Sequence, residues 1–205
     1  MGSINLGSNG TITGLAVGGL PDGTVDTDTL ANNAVQTAKL HDDALTAAKM
    51  PSGTSLQTVS NPAGSSDINV TSDSWTNTGH TATITTLAAN SKILVELTGG
   101  GWHDNGNNQA TINITFERNF DGGSYSSPSN AKAGASEYGL MRMSADGENW
   151  NIGPYACSLL DSPAQAVGTV IIYRVIIKKD SSNGNSQYQS NDRGMPMLTL
   201  TEIAA

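Results

Sequence analysis

Charge is scarce in this chain. Only 14% of the 205 residues are Asp, Glu, Lys or Arg, and the acidic excess leaves a net charge of -8. Phosphate backbones are bound by clustered cations, so a nucleic-acid partner is not expected. The same balance suits an anionic membrane surface poorly. Cysteine is nearly missing: Cys157 stands alone, so no disulfide can close within the chain. Long apolar runs are lacking too. The longest, Val170 to Ile177, is interrupted by Arg174 and is far too short to span a bilayer, so no membrane insertion is expected. The amino terminus has no basic region followed by an apolar run. The expectation is a soluble protein made in a cytoplasm without a secretory leader.

Catalytic signatures are missing as well. The chain has no nucleophile-elbow pattern, no phosphate-cradling loop and no zinc-spaced Cys/His set. His41, His80 and His103 are far apart, and His103-Asp104 has no second histidine nearby. No enzyme, cofactor or metal site is therefore expected.

What the chain does have is a period. Leu15, Leu20, Val25, Leu30, Val35, Leu40, Leu45 and Met50 recur at every fifth position. From Asn33 onward this becomes a ten-residue repeat, Asn33-Ala34-Val35-Gln36-Thr37-Ala38-Lys39-Leu40 and then Asp43 to Met50. Neither a helix nor a strand repeats every five residues, so one continuous element is excluded. Each repeat has room for one short helical turn, with Asn33 or Asp43 as its N-cap. A lone repeat cannot bury its two apolar side chains and needs neighbours. Three copies around an axis would supply them, making residues 15–52 a shaft with Val25, Leu30, Val35, Leu40, Leu45 and Met50 in its seam. A flexible Ala/Thr-rich linker is the plain alternative. Residues 1–14 carry only Ile4, Leu6 and Ile12 as sizeable apolar side chains after Met1. They read as an extended arm that becomes ordered on a partner, or as a frayed end.

Pro51-Ser52-Gly53 ends the repeat, and from residue 53 the pattern is that of strands. Ile68 and Val70 alternate with polar neighbours, as do Ala82 and Ile84, the set Ile93, Val95 and Leu97, and the set Ile112, Ile114 and Phe116. Met141 and Met143 alternate with Arg142. Asp121-Gly122-Gly123 and Asp146-Gly147 read as turns. Further strands are expected from Ile152 to Leu159, near Tyr188 and at Leu198 to Ile203. Val170 to Ile177 is apolar on both faces, so both should be buried, the outer one against another subunit. Many short strands without a helical pattern predict a mainly β fold, an antiparallel β-sandwich or barrel spanning residues 53–205.

Aromatic residues in Gly/Asn/Ser-rich segments mark the candidate binding surface. Rings contribute rigid contact area, amides contribute adaptable hydrogen bonds, and sugars stack on such rings. On this ground Trp102, His103 and Asn105, with Tyr125, Trp150 and Asn151, are the candidate receptor-binding residues. The same rings could instead cap the core, which is the reading favoured for Trp75.

The phrase Leu20-Pro21-Asp22-Gly23-Thr24-Val25 and the following Ala-Val-x-Thr-Ala-Lys-Leu repeats resemble the amino-terminal shaft of bacteriophage tail fibres of marine and cyanobacterial type. Ser74 to Gly79, Ser91 to Val95, Gly168 to Val170 and Leu198 to Ile203 follow one another in an order similar to that of the carboxy-terminal jelly-roll-like domains of such fibres. The resemblance implies a homotrimeric structural protein of the virion tail. It would be fixed to other tail or capsid proteins by its amino terminus and bind a host cell-surface glycan through its β-domain. A trimeric cement protein on the capsid would use the same parts.

Overall fold

Alternating side chains decide the architecture from Ser55 onward. The computed structural model describes residues 35–36, 40, 44–104, 110–131, 138–145, 151–180, 185–189 and 195–205. The expected arm at 1–14, Val25 and Leu30 of the shaft, the candidate caps Asn33 and Asp43, and the turn at Asp146-Gly147 lie outside them.

The chain divides into two units, Met1–Ala44 and Leu45–Ala205. In the first, Val35 and Leu40 are exposed. In the second, Leu45 is exposed, Met50 is half-buried and Ala47–Lys49 forms a single 3-10 turn without a side-chain cap.

Ten strands follow among the described residues: β1 Ser55–Pro62, β2 Ile68–Asn69, β3 Thr76–Thr85, β4 Lys92–Asp104 and β5 Ala110–Phe120, then β6 Met141–Ala145, β7 Asn151–Asp161, β8 Val170–Lys178, β9 Asn185–Gln189 and β10 Met197–Ile203. All pairings are antiparallel and they nest: β1 with β10, β2 with β9, β3 with β8, β4 with β7 and β5 with β6. Folded over on itself, this nested hairpin makes one sheet of β1-β10-β4-β9-β2, with β7 on the other side of β4, and a second of β3-β8-β5-β6. Without the short β2 and β9, the orders β1-β10-β4-β7 and β3-β8-β5-β6 are those of an eight-stranded jelly roll. The mainly β, antiparallel sandwich expected from the sequence is the fold.

The core lies between the sheets. Ile93, Val95 and Leu97 of β4, with Leu198 and Leu200 of β10, face Ile112, Ile114 and Phe116 of β5 and Ile171, Tyr173, Val175 and Ile177 of β8. The outer face of β8 departs from expectation. Ile176 there is only 2% exposed within the single chain. Trp75 lies over the adjoining Lys178, whose Nζ is 5.1 Å from the ring centroid, and the same ring meets the backbone at Gly139. The chain itself covers this end of the face, so burying Ile176 needs no second subunit.

β1 had no counterpart in the sequence pattern. A register shift between Ser55 and Gln57 puts Leu56 and Val59 three residues apart, which hides the alternation. Pro62 is tolerated because β1 is an edge strand.

The Gly-rich run before Trp102 is also strand, not loop. A Cβ at Gly99 would lie 2.6 Å from the Tyr155 ring, and one at Gly101 would lie 3.3 Å from the Gln187 carbonyl. These glycines admit Tyr155, whose hydroxyl donates to the Tyr188 carbonyl at 2.9 Å while the two rings stack at 5.7 Å. Gly99→Val should therefore displace Tyr155 and lower stability by about 1–3 kcal/mol. Thermal melting measures the loss, and an unchanged midpoint would mean that Tyr155 has room to move.

Candidate functional site

The register sorts the loops between two ends of the sandwich. Ser55 pairs Ile203, Ile203 pairs Lys92, and Ile93 pairs Asp161. The chain therefore enters at the end that holds the β3–β4 and β7–β8 connections. The Gly53 amide fixes this entry by donating to the Ala204 carbonyl at 2.8 Å, and the Ala204 amide donates to Thr54. Asp104, Asn151 and Asn185 mark the opposite end, where β4, β7 and β9 finish or begin.

Three predicted binding residues come together at that far end. Trp102 pairs Ile152 on one side and Gln187 on the other, and His103 pairs Asn151 and Ser186. Trp102 and His103 thus belong to a strand inside the sheet rather than to a free loop. Asn105 and Trp150 lie outside the described residues. Tyr125 is elsewhere. The next residue, Ser126, bridges Arg118 in the entry half, and the Arg174 guanidinium lies 3.7 Å from the centroid of the Tyr125 ring. Arg174 in turn gives Glu117 two hydrogen bonds of 2.8 and 2.6 Å. That stack holds Tyr125 on the outer face of the second sheet, away from Trp102.

A second feature sits where β1 and β3, edge strands of the two sheets, face each other. In β3 the register slips between Asn77 and Thr81, so Thr78-Gly79-His80 forms a bulge. Gly79 has φ +79°, a conformation that suits glycine. Thr78 Oγ1 donates to the Val175 carbonyl at 2.9 Å and accepts from the His80 amide at 3.0 Å, replacing ladder bonds. The bulge turns His80 inward, where it is 4% exposed.

His80 is held at both nitrogens. Nε2 lies 2.8 Å from the Asn61 carbonyl, which can only accept, so Nε2 carries the proton. Nδ1 then accepts from the Tyr188 hydroxyl at 2.8 Å. Burial pulls the imidazole pKa below its ordinary 6.5, against the smaller upward effect of the Asn61 carbonyl. The ring is neutral and fixed in one tautomer. Beside it opens a cleft of about 320 Å³, lined by residues of the β1 end, the following loop, the bulge and Gln189 of β9. Gln189 donates from Nε2 to the Gly64 carbonyl, while its buried Oε1 has no hydrogen-bond partner.

The chain matches no protein-family model and no curated protein sequence.

Sequence reasoning missed the cleft because Asn77-Thr78-Gly79 reads as polar and unpatterned. The usable signal was Gly79 just ahead of the alternating Thr81–Thr85 stretch, since an isolated glycine in a strand marks a bulge. Cys157 adds no chemistry: burial pushes its thiol up to about 12, leaving it protonated and inert. Among the described residues no cluster of His, Cys, Asp or Glu could hold a metal ion.

Proposed function

We propose that the chain is a homotrimeric bacteriophage tail fibre that joins the virion through its amino-terminal segment and binds a host-surface glycan through the β-sandwich. The observation that carries this reading is the polarity of the sandwich. The preceding chain enters at one end, and the ends of β4, β7 and β9 gather at the other. A fibre needs that arrangement, with attachment behind and contact ahead. Apolar side chains at Val35, Leu40 and Leu45, exposed in a single chain and five residues apart, suit a shaft completed by identical copies. The fold fits an adhesive role but does not select it, since one fold hosts many functions.

Antibody raised against residues 45–205 should label the tail of intact virions, and the purified protein should compete with virions for adsorption to host cells. Label spread over the capsid, with no competition, would replace this reading with that of a cement protein.

A further inference from the structure

We propose that the cleft between the end of β1 and the β3 bulge binds a neutral sugar of monosaccharide size. The source of that sugar, a host-surface glycan, rests on the adhesion reading above; the site itself rests on its own geometry.

Size comes first. A volume of about 320 Å³ lies at the small end of ligand pockets, which run from about 300 to 1,000 Å³. One ring with its hydroxyls fits, and a long chain does not. Charge comes second. Among the described residues the lining has no Asp, Glu, Lys or Arg, and His80 is locked neutral between Asn61 and Tyr188. An anionic or cationic ligand would give up its hydration without meeting a counter-charge, which is unfavourable.

The lining chemistry matches a pyranose. Ser66, Thr81 and Asn61 bring hydroxyl and amide groups, while Pro62, Ala63 and Ile68 form an apolar wall for a ring's C–H face. Gln189 backs the cleft: it is 0% exposed, and its Nε2 is anchored to the Gly64 carbonyl, which ties the loop after β1 to β9. The site is also built on strands. The bulge is tied to β8 by Thr78, and His80 is tied to β1 and β9. A preorganised site loses little on binding. Among the described residues no Phe, Tyr or Trp lines the cleft, so each site should be weak on its own.

The test is saturation-transfer NMR on the full chain. The probes are the methyl glycosides of glucose, galactose, mannose, fucose and N-acetylglucosamine, with methyl glucuronide and glucosamine as charged controls. At least one neutral glycoside should bind in the millimolar range and both charged sugars should fail. Ser66→Trp fills the cleft from an exposed position, so it should abolish the signal at an unchanged melting temperature. Absence of binding by every neutral glycoside overturns the proposal, as does binding that survives Ser66→Trp or favours a charged sugar. The same proteins are then used to compete for host adsorption. If the wild type competes and Ser66→Trp competes equally, the cleft is not the adhesive site and the fibre reading stands. If the glycoside binds the cleft and the wild type does not compete, the site stands and the fibre reading falls.

Discussion

Glu202→Ala should cost about 3–5 kcal/mol, a large part of the stability of a domain this size. Glu202 lies on β10, is 0% exposed and collects donors from β1 and from the β3–β4 connection. The Leu87 and Ala88 amides donate to its carboxylate at 2.9 and 3.0 Å, the Ser91 hydroxyl at 2.7 Å and Gln57 Nε2 at 2.5 Å. Truncation strands these donors, and each one left buried costs about 1–3 kcal/mol. Solvent reaches Leu87, which keeps the total below the simple sum. Burial raises the Glu202 pKa, but the hydrogen bonds from Gln57, Ser91, Leu87 and Ala88 outweigh it, leaving a net shift below the ordinary 4.5. A carboxylate depressed in the folded state contributes fully above its unfolded pKa and loses that contribution as pH falls through the folded one. Urea midpoints should therefore drop as pH falls below about 4.5, more steeply for wild type than for Glu202→Gln. Parallel acid profiles for the two proteins would refute the assignment.

Asp161→Ala should be as damaging, for a different reason. Asp161 lies at the entry end of β7, facing the core. Its Oδ2 accepts from the Tyr173 hydroxyl at 2.6 Å and lies 2.6 Å from Arg118 Nη1. That Arg118 nitrogen is not aligned for a hydrogen bond, so its link to Asp161 is ionic. Burial first, and then the neighbouring Asp161 charge, drive the Tyr173 hydroxyl pKa far up, so it stays protonated and donates. Removing Asp161 leaves a nearly buried guanidinium without its counter-ion, a loss of about 3–5 kcal/mol. Adding Arg118→Met should recover part of that loss, because the stranded charge is gone. Chemical denaturation of both single variants and the double variant measures the coupling; a double variant no better than Asp161→Ala would mean that packing, not charge, dominates.

The inward faces of β4, β5, β8 and β10 were legible because their apolar residues alternate without interruption. Two of the stretches that resemble those of tail-fibre domains, Ser91 to Val95 and Leu198 to Ile203, are joined by a contact that their spacing does not display. Ser91, ahead of Lys92 to Val95, donates to Glu202 of the Leu198–Ile203 stretch, so the β3–β4 turn is fastened to the last strand. Illegible places share one cause, which is irregular backbone. The register shift near Ser55 hid β1, and the bulge at Thr78-Gly79-His80 hid the cleft. Gly99 and Gly101 looked like loop because composition does not show that they make room for Tyr155. Tyr125 was grouped with Trp102 by composition alone, and pairing near Arg118 separates them. Linear spacing carries no information about which loops share an end; that depends on pairings far apart in the chain.

The nested pairing also governs how the domain comes into being. Every described pairing joins a strand from β1–β5 to one from β6–β10. Until synthesis passes Phe120, none of these strands has met its partner, and β1 waits for the final strand, ending at Ile203. At about 5–20 residues per second, the emerging first half spends on the order of several seconds with open edges. Local contacts cannot shorten that wait, because the ladder is long-range throughout and closing it is slow. The first half is well suited to the delay. Thr, Asn and Gly predominate in β3 and at the far end of β4, and such strands are poor templates for aggregation. Sparse hydrophobicity in β3 and distal β4 thus protects a chain that must remain open until β10 has been made.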